Sequence, residues 1–212
     1  GTAVTMPYSA CPPINDDCAT PTVLTVEDPA DCPANQVVGT TLGADLTGTA
    51  PPCGGGPVQD VWYSVNTTGF ADGTLTVTPV TASTIGAQFF SECGTPVGAC
   101  ISPVSVVNFN LPPGPYLIRF FTTEANAGTF NVCMSAPPPA ANDEPCTATP
   151  LALGIGDCVM TATSNVNATN STNAGIPAPG CSSFAGGDIW FTTVVGPSGI
   201  VTFDSEAGTV TD

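Results

Sequence analysis

Apolar and polar residues alternate with period two in seven short runs, at 61–65, 74–80, 104–109, 116–121, 129–133, 189–194 and 200–203. Such alternation, rich in β-branched and aromatic side chains, marks a strand with one face on a core. Ala71-Asp72-Gly73, Pro112-Pro113-Gly114-Pro115 and Gly196-Pro197-Ser198-Gly199 stand between the runs and turn the chain. No window of helical length carries a 3.6-residue period. The pattern predicts an all-β fold of antiparallel β-sandwich, jelly-roll-like domains. Trp62 and Trp190 fall on apolar positions of their runs and are expected to anchor cores.

A repeat underlies the runs. Asn15-Asp16-Asp17-Cys18 recurs as Asn142-Asp143-Glu144-Pro145-Cys146, Cys32 answers to Cys158, Cys53 to Cys181, and Asp60-Val61-Trp62-Tyr63 to Asp188-Ile189-Trp190-Phe191. Gly1-Thr2-Ala3-Val4-Thr5-Met6 aligns with Gly128-Thr129-Phe130-Asn131-Val132-Cys133. The expected organisation has residues 1–11 as the closing strand of a preceding repeat and 12–136 as a complete sandwich. Residues 137–141 then form a proline-rich linker, and 142–212 an incomplete second sandwich. A semi-rigid Pro137-Pro138-Pro139 spacer favours an extended tandem array. Two origins stay open: a window of a longer array, or a subunit completed by copies of itself through strand donation.

Charge narrows the function classes. The 212 residues include 17 acidic side chains, one basic side chain (Arg119) and no histidine, for a net charge of −16. Nucleic acid is thereby excluded as a partner and an anionic membrane surface disfavoured, because both are bound through clustered Lys and Arg. No run of about 18 apolar residues exists, so membrane insertion is not expected. Hydrolases that use a histidine base cannot be assembled from this chain, and the expectation is a non-enzyme. Ten cysteines without C-x-x-C or Cys/His spacing read as disulfides made in an oxidising compartment. That places the chain outside the cell or on its surface.

The order Asn-Asp-x-Cys, two further cysteines, Asp60-Val61-Trp62-Tyr63, Cys93 and Cys100 about a short loop, Leu111-Pro112-Pro113-Gly114-Pro115-Tyr116-Leu117-Ile118-Arg119 and a closing Gly-Thr-Phe-Asn-Val strand resembles tandem repeats of large secreted bacterial adhesins. Those repeats are similar to bacterial pre-peptidase C-terminal domains and occur in surface proteins that use type IX secretion. The resemblance implies a disulfide-stapled β-sandwich module of a surface fibre or adhesin. Its expected partners are neighbouring repeats or copies of itself in a fibre. A glycan- or receptor-binding module on a surface stalk, or a noncatalytic accessory domain of a secreted hydrolase, is the alternative.

Local cysteine pairing is expected: Cys18 with Cys32, Cys93 with Cys100, Cys146 with Cys158, and Cys53 with Cys133 across the domain. Cys11 and Cys181 are left for partners in other segments or chains. Asn15, Asp16, Asp17 and Asp60, with Asn142, Asp143, Glu144 and Asp188, supply the hard oxygen ligands that Ca²⁺ takes. The same residues also cap turns, and no cofactor is required, Ca²⁺ being the one candidate. No catalytic residue is assigned. Asn66, Asn167 and Asn170 head glycosylation sequons that the sequence leaves undecided.

Overall fold

The computed structural model describes residues 11–68, 70, 72–154, 158, 160–171, 175–180, 187–206 and 208. The expected strand at 1–6, and Cys181, lie outside the described residues. Two compact units divide the chain, Gly1–Pro138 and Pro139–Asp212.

In the first unit the strands are β1 (Thr22–Val23), β2 (Val26–Glu27), β3 (Val37–Thr40), β4 (Val58–Asn66), β5 (Asp72–Pro79), β6 (Gly86–Glu92), β7 (Thr95–Ile101), β8 (Val106–Asn110), β9 (Pro115–Thr123) and β10 (Thr129–Ser135). One sheet has the order β1-β4-β9-β6-β7 and the other β2-β10-β5-β8, with β3 beside β2 along the free edge of β10. The fold is all-β, but the sheets are mixed where antiparallel pairing was expected. β1 runs parallel to β4, and β2 parallel to β10. One extended segment, 22–27, therefore crosses from the first sheet to the second, with Leu24 buried between them.

The alternating runs become β4, β5, β8, β9 and β10. Their even or odd positions meet across the two sheets. Val61, Tyr63, Ile118, Phe120 and Phe89 of the first sheet pack on Leu75, Val77, Phe109, Phe130, Val132 and Met134 of the second. Ring pairs span the interface: Phe120–Phe130 at 5.3 Å, Tyr63–Phe130 at 6.5 Å and Phe89–Phe109 at 5.8 Å between centroids. Fully burying each such side chain stabilises the fold by roughly 1.5–3 kcal/mol. Three glycines stand directly opposite phenylalanines in the ladders: Gly39 with Phe130, Gly73 with Phe109 and Gly86 with Phe121. A Cβ at any of them would lie within 2.5 Å of the facing ring, so each ring packs flat on bare backbone.

Tyr63 sits in this core at 2% exposure. Burial holds its phenol above the ordinary value, while a hydrogen bond with the Asn15 side chain pulls the other way. A pKa raised on folding gives stability that is full below the unfolded value of about 10 and is lost as pH rises through the folded one. The denaturant midpoint should therefore fall as the pH rises past the unfolded value of about 10. Tyr63→Phe should flatten that fall; an equal fall in the variant would show that another group causes it.

The second unit contains a 3-10 turn, Pro145–Thr147, and one parallel pair, β11 (Thr149–Pro150) with β12 (Phe191–Thr192). Its expected strand at 189–194 is ordered into a ladder only at β12. The run at 200–203 has no ladder partner among the described residues and leaves Ile200 77% and Phe203 69% exposed. Alternation alone does not make a strand; a neighbouring edge must accept its hydrogen bonds.

Candidate functional site

The most chemically distinctive place in the first unit is the outer face of its first sheet, opposite the inter-sheet core. Period two sends Val61, Tyr63 and Val65 of β4 inward and Asp60 and Trp62 outward. On β9 the outward residues are Leu117, Arg119 and Phe121. Register sets Trp62 against Arg119 and Arg119 against Gln88, so one row crosses β4, β9 and β6. These outward side chains are covered as well. Asp60 is 0%, Trp62 2%, Arg119 3% and Gln88 6% exposed. Trp62, Phe90 and Cys18 form a second small core with Leu117, and the Trp62 and Phe90 rings lie 5.0 Å apart.

Arg119 is the chain's only basic side chain, and every part of its guanidinium is engaged. Nε donates to Asp60 Oδ2 at 2.7 Å, and a second nitrogen donates to the same oxygen. Two further donors reach the Thr49 carbonyl at 2.8 Å and the Thr47 carbonyl at 3.3 Å. The guanidinium carbon lies 5.4 Å from the Trp62 ring centroid, a cation–π contact. Asp60 also accepts from the Thr47 backbone N–H and from Trp62 Nε1. Burial pushes the Asp60 carboxyl up from its usual value, against the pull of the Arg119 charge and of these hydrogen bonds. The network ties the 45–49 loop to the sheet.

The remaining acidic motif joins the same construction. Asn15 acts as a ladder partner for β4, donating from Nδ2 to the Trp62 carbonyl at 2.9 Å and accepting the Trp62 N–H at 2.8 Å. Asp16 Oδ1 accepts the Asp45 N–H, and Asp17 Oδ1 accepts the Ala19 N–H two residues on. In the first unit the residues expected as Ca²⁺ ligands make these separate bonds, and Asp60 faces the Arg119 guanidinium. Among the described residues no group of three or more His, Cys, Asp or Glu could hold a metal.

The second unit repeats much of the construction, although Trp190 Nε1 donates to Ser171 Oγ where Trp62 Nε1 donates to Asp60. Asn142 Nδ2 donates to the Trp190 carbonyl at 2.9 Å and the Asn142 carbonyl accepts the Trp190 N–H at 2.8 Å. Asp143 accepts the Thr169 N–H where Asp16 accepts that of Asp45. Asp188 accepts the Ser171 N–H where Asp60 accepts that of Thr47. The Leu24 N–H meets the Ser64 carbonyl at 2.8 Å, and the Leu151 N–H meets that of Thr192 at 2.8 Å. Glu144 departs from the pattern, joining a capping box with Thr147.

The disulfides are not the expected local staples. Cys18 bonds to Cys93, Cys32 to Cys133 and Cys53 to Cys100. Cys93 lies in the turn before β7 and Cys100 near the far end of that strand, and the five extended steps from Thr95 to Cys100 alone span roughly 17 Å, beyond the ~7 Å limit for Cα atoms. Cys18 and Cys32 are separated by the 22–27 crossing, so one faces the first sheet and the other the second. Cys53, in the loop before β4, reaches edge strand β7 instead of the second sheet. Cys146 and Cys158 are free and exposed, as is Cys11.

The fold and its buried polar network define a disulfide-stapled all-β module. A family model described as galactose-binding-domain-like and T9SS-associated matches residues 14–134, and the chain belongs to that family. With its disulfides, this marks a secreted module of the type IX secretion context. Among solved structures the chain is similar to the pre-peptidase C-terminal domain of collagenase from Bacillus anthracis, at 14% identity and a TM-score of 0.36, over 53% of this chain and 92% of that one. It is also similar to the Aeromonas hydrophila periplasmic inhibitor of g-type lysozyme, PliG, at 15% identity and a TM-score of 0.32, over 53% and 96%. No curated protein matches. Among the described residues no helix is long and apolar enough to cross a membrane.

Proposed function

We propose that the chain is a structural or adhesive repeat module of an extracellular surface fibre, set among neighbouring repeats. The observation that carries this reading is the interlocking of the three disulfides. Load entering near Cys18 and leaving near Cys133 passes through only the residues between Cys18 and Cys32 before it meets the Cys32–Cys133 bond. Those 14 or so residues extend to roughly 50 Å, whereas the uncrosslinked path of about 115 residues extends to roughly 400 Å. The recurrence of one hydrogen-bond set in both units supports the repeat character.

Single-molecule pulling of the whole chain from its two ends tests the proposal. Unfolding of the first unit should lengthen the oxidised chain by the shorter amount and the reduced chain by the longer. Equal, long extensions in both states would remove the mechanical role. The family description favours a second reading, a galactose-binding module on a stalk. Trp62 is buried in the first unit, and a calorimetric titration with galactose should give no saturable heat. A saturable isotherm would favour the second reading over the first.

A further inference from the structure

The three disulfides of the first unit do not share a load equally. Their loops overlap along the chain, so once native contacts have yielded, tension between residues 18 and 133 follows the shortest covalent path. With all three bonds intact that path is residues 18–32 and the Cys32–Cys133 bond, about 14 residues or roughly 50 Å. Cys18–Cys93 and Cys53–Cys100 then lie on slack branches. Cutting Cys32–Cys133 moves the load to Cys18–Cys93 and residues 93–133, about 40 residues or roughly 140 Å. Cutting that bond in turn moves it to residues 18–53, Cys53–Cys100 and residues 100–133, about 68 residues or roughly 240 Å. Loss of the last bond gives the full path of about 115 residues, roughly 400 Å. Each bond is therefore shielded from tension until its predecessor is gone.

Exposure ranks the bonds the other way. In the folded unit Cys93 is exposed and Cys53 and Cys100 are half-buried, whereas Cys32 is 7% and Cys133 1% exposed. The first bond to bear load is the one best hidden from a reductant. Its protection depends on short pairings, because β1 and β2 in the 22–27 crossing have two residues each. Drawing residues 18–32 taut strips β1 from β4 and β2 from β10, and leaves Cys32 on an extended chain in solvent.

We infer that the three disulfides form a force-ordered redox switch. Under tension a small dithiol reduces Cys32–Cys133 first, Cys18–Cys93 second and Cys53–Cys100 third, and the module lengthens by a fixed increment at each step. Without tension Cys32–Cys133 is the last to be reduced. In each reduction a thiolate of the dithiol attacks one cysteine sulfur, the other sulfur leaves as a thiolate, and the second thiol resolves the mixed disulfide. Two electrons and two protons pass to the cysteine pair, and the dithiol becomes a cyclic disulfide. The bond under attack is longer in the transition state than at rest, so tension along it lowers the barrier, on which the rate depends exponentially. A slack bond gains nothing. The inference deepens the mechanical reading and rests on it.

Force-clamp pulling of the full chain from its two ends tests the switch. The exposed free cysteines are alkylated beforehand, and traces are taken without and with dithiothreitol; the second unit's extension is common to both. Without the dithiol the first unit should stop at the short extension, and a long extension there would overturn the mechanical reading itself. With it, three further steps of roughly 90, 100 and 160 Å should follow in that order. Replacing Cys53 and Cys100 together by alanine should merge the last two into one of roughly 260 Å. In the unsubstituted chain, steps of roughly 190 then 160 Å would mean that Cys18–Cys93 was cut before it bore load, and roughly 90 then 260 Å that Cys53–Cys100 was. Either pattern, after a short extension without dithiol, would overturn the ordering and leave the mechanical reading standing. In the unloaded chain, mass mapping of the thiols that dithiothreitol releases should find Cys32–Cys133 the last bond intact. Finding it cut first would overturn the claim that tension reverses the order.

Discussion

Asp60→Ala should destabilise the first unit by about 3–5 kcal/mol, the range for removing one partner of a buried ion pair. Among the described residues the carboxylate is the only anion paired with Arg119, and both side chains are sealed from water at 0% and 3% exposure. Without it the guanidinium keeps the Thr47 and Thr49 carbonyls but no counter-charge. The Thr47 N–H and Trp62 Nε1 lose their acceptor as well. The denaturant midpoint, read by tryptophan fluorescence on disulfide-intact protein, should fall with little change of slope. Asp60→Leu combined with Arg119→Met should cost much less than the single change, since buried pairs are often replaceable by apolar groups of like volume. A double variant as unstable as Asp60→Ala would mean that the network matters for its shape and loop hydrogen bonds rather than for charge balance.

That pair shows where reading the sequence stops. Arg119 lies between Ile118 and Phe120, and Asp60 directly precedes Val61-Trp62. A lone charge inside an apolar strand needs an opposite charge once the strand is central, and that was the available signal. What concealed the pairing was the strand order, which sets β4 beside β9 although 59 residues separate the two groups. The alternating strands were legible because each buries one face. β6 was not, since both of its faces are covered through Phe90 and its run Gly86-Ala87-Gln88-Phe89-Phe90 does not alternate. β7 carries Pro96 and Gly98, tolerable on an edge but weak as a strand signal. β1 and β2 are two residues each, too short for any period. The acidic motif was legible as a repeated motif, yet its role as ladder partner and loop clamp depends on where residues 45–49 fold back.

Cysteine pairing was illegible for the same reason, and it sets the second large effect. Replacing Cys32 and Cys133 together by alanine should cost about 2–5 kcal/mol. Loop entropy alone gives about 4.7 kcal/mol for a closed loop of this length, against about 4.0 for the one closed by Cys53–Cys100. The gap is small because closure entropy grows only logarithmically. Packing widens it in the native state: Cys133 is 1% exposed on β10, which holds β2, β3 and β5 in the second sheet, whereas Cys100 lies on an edge strand. Thermal unfolding of the two double-alanine variants should therefore place the one lacking Cys32–Cys133 lower, with a steeper denaturant dependence as its unfolded chain expands. If the variant lacking Cys53–Cys100 proves the weaker, the loop before β4 rather than β10 holds the sandwich closed, and the Asp60–Arg119 network that grips that loop becomes its principal fastening.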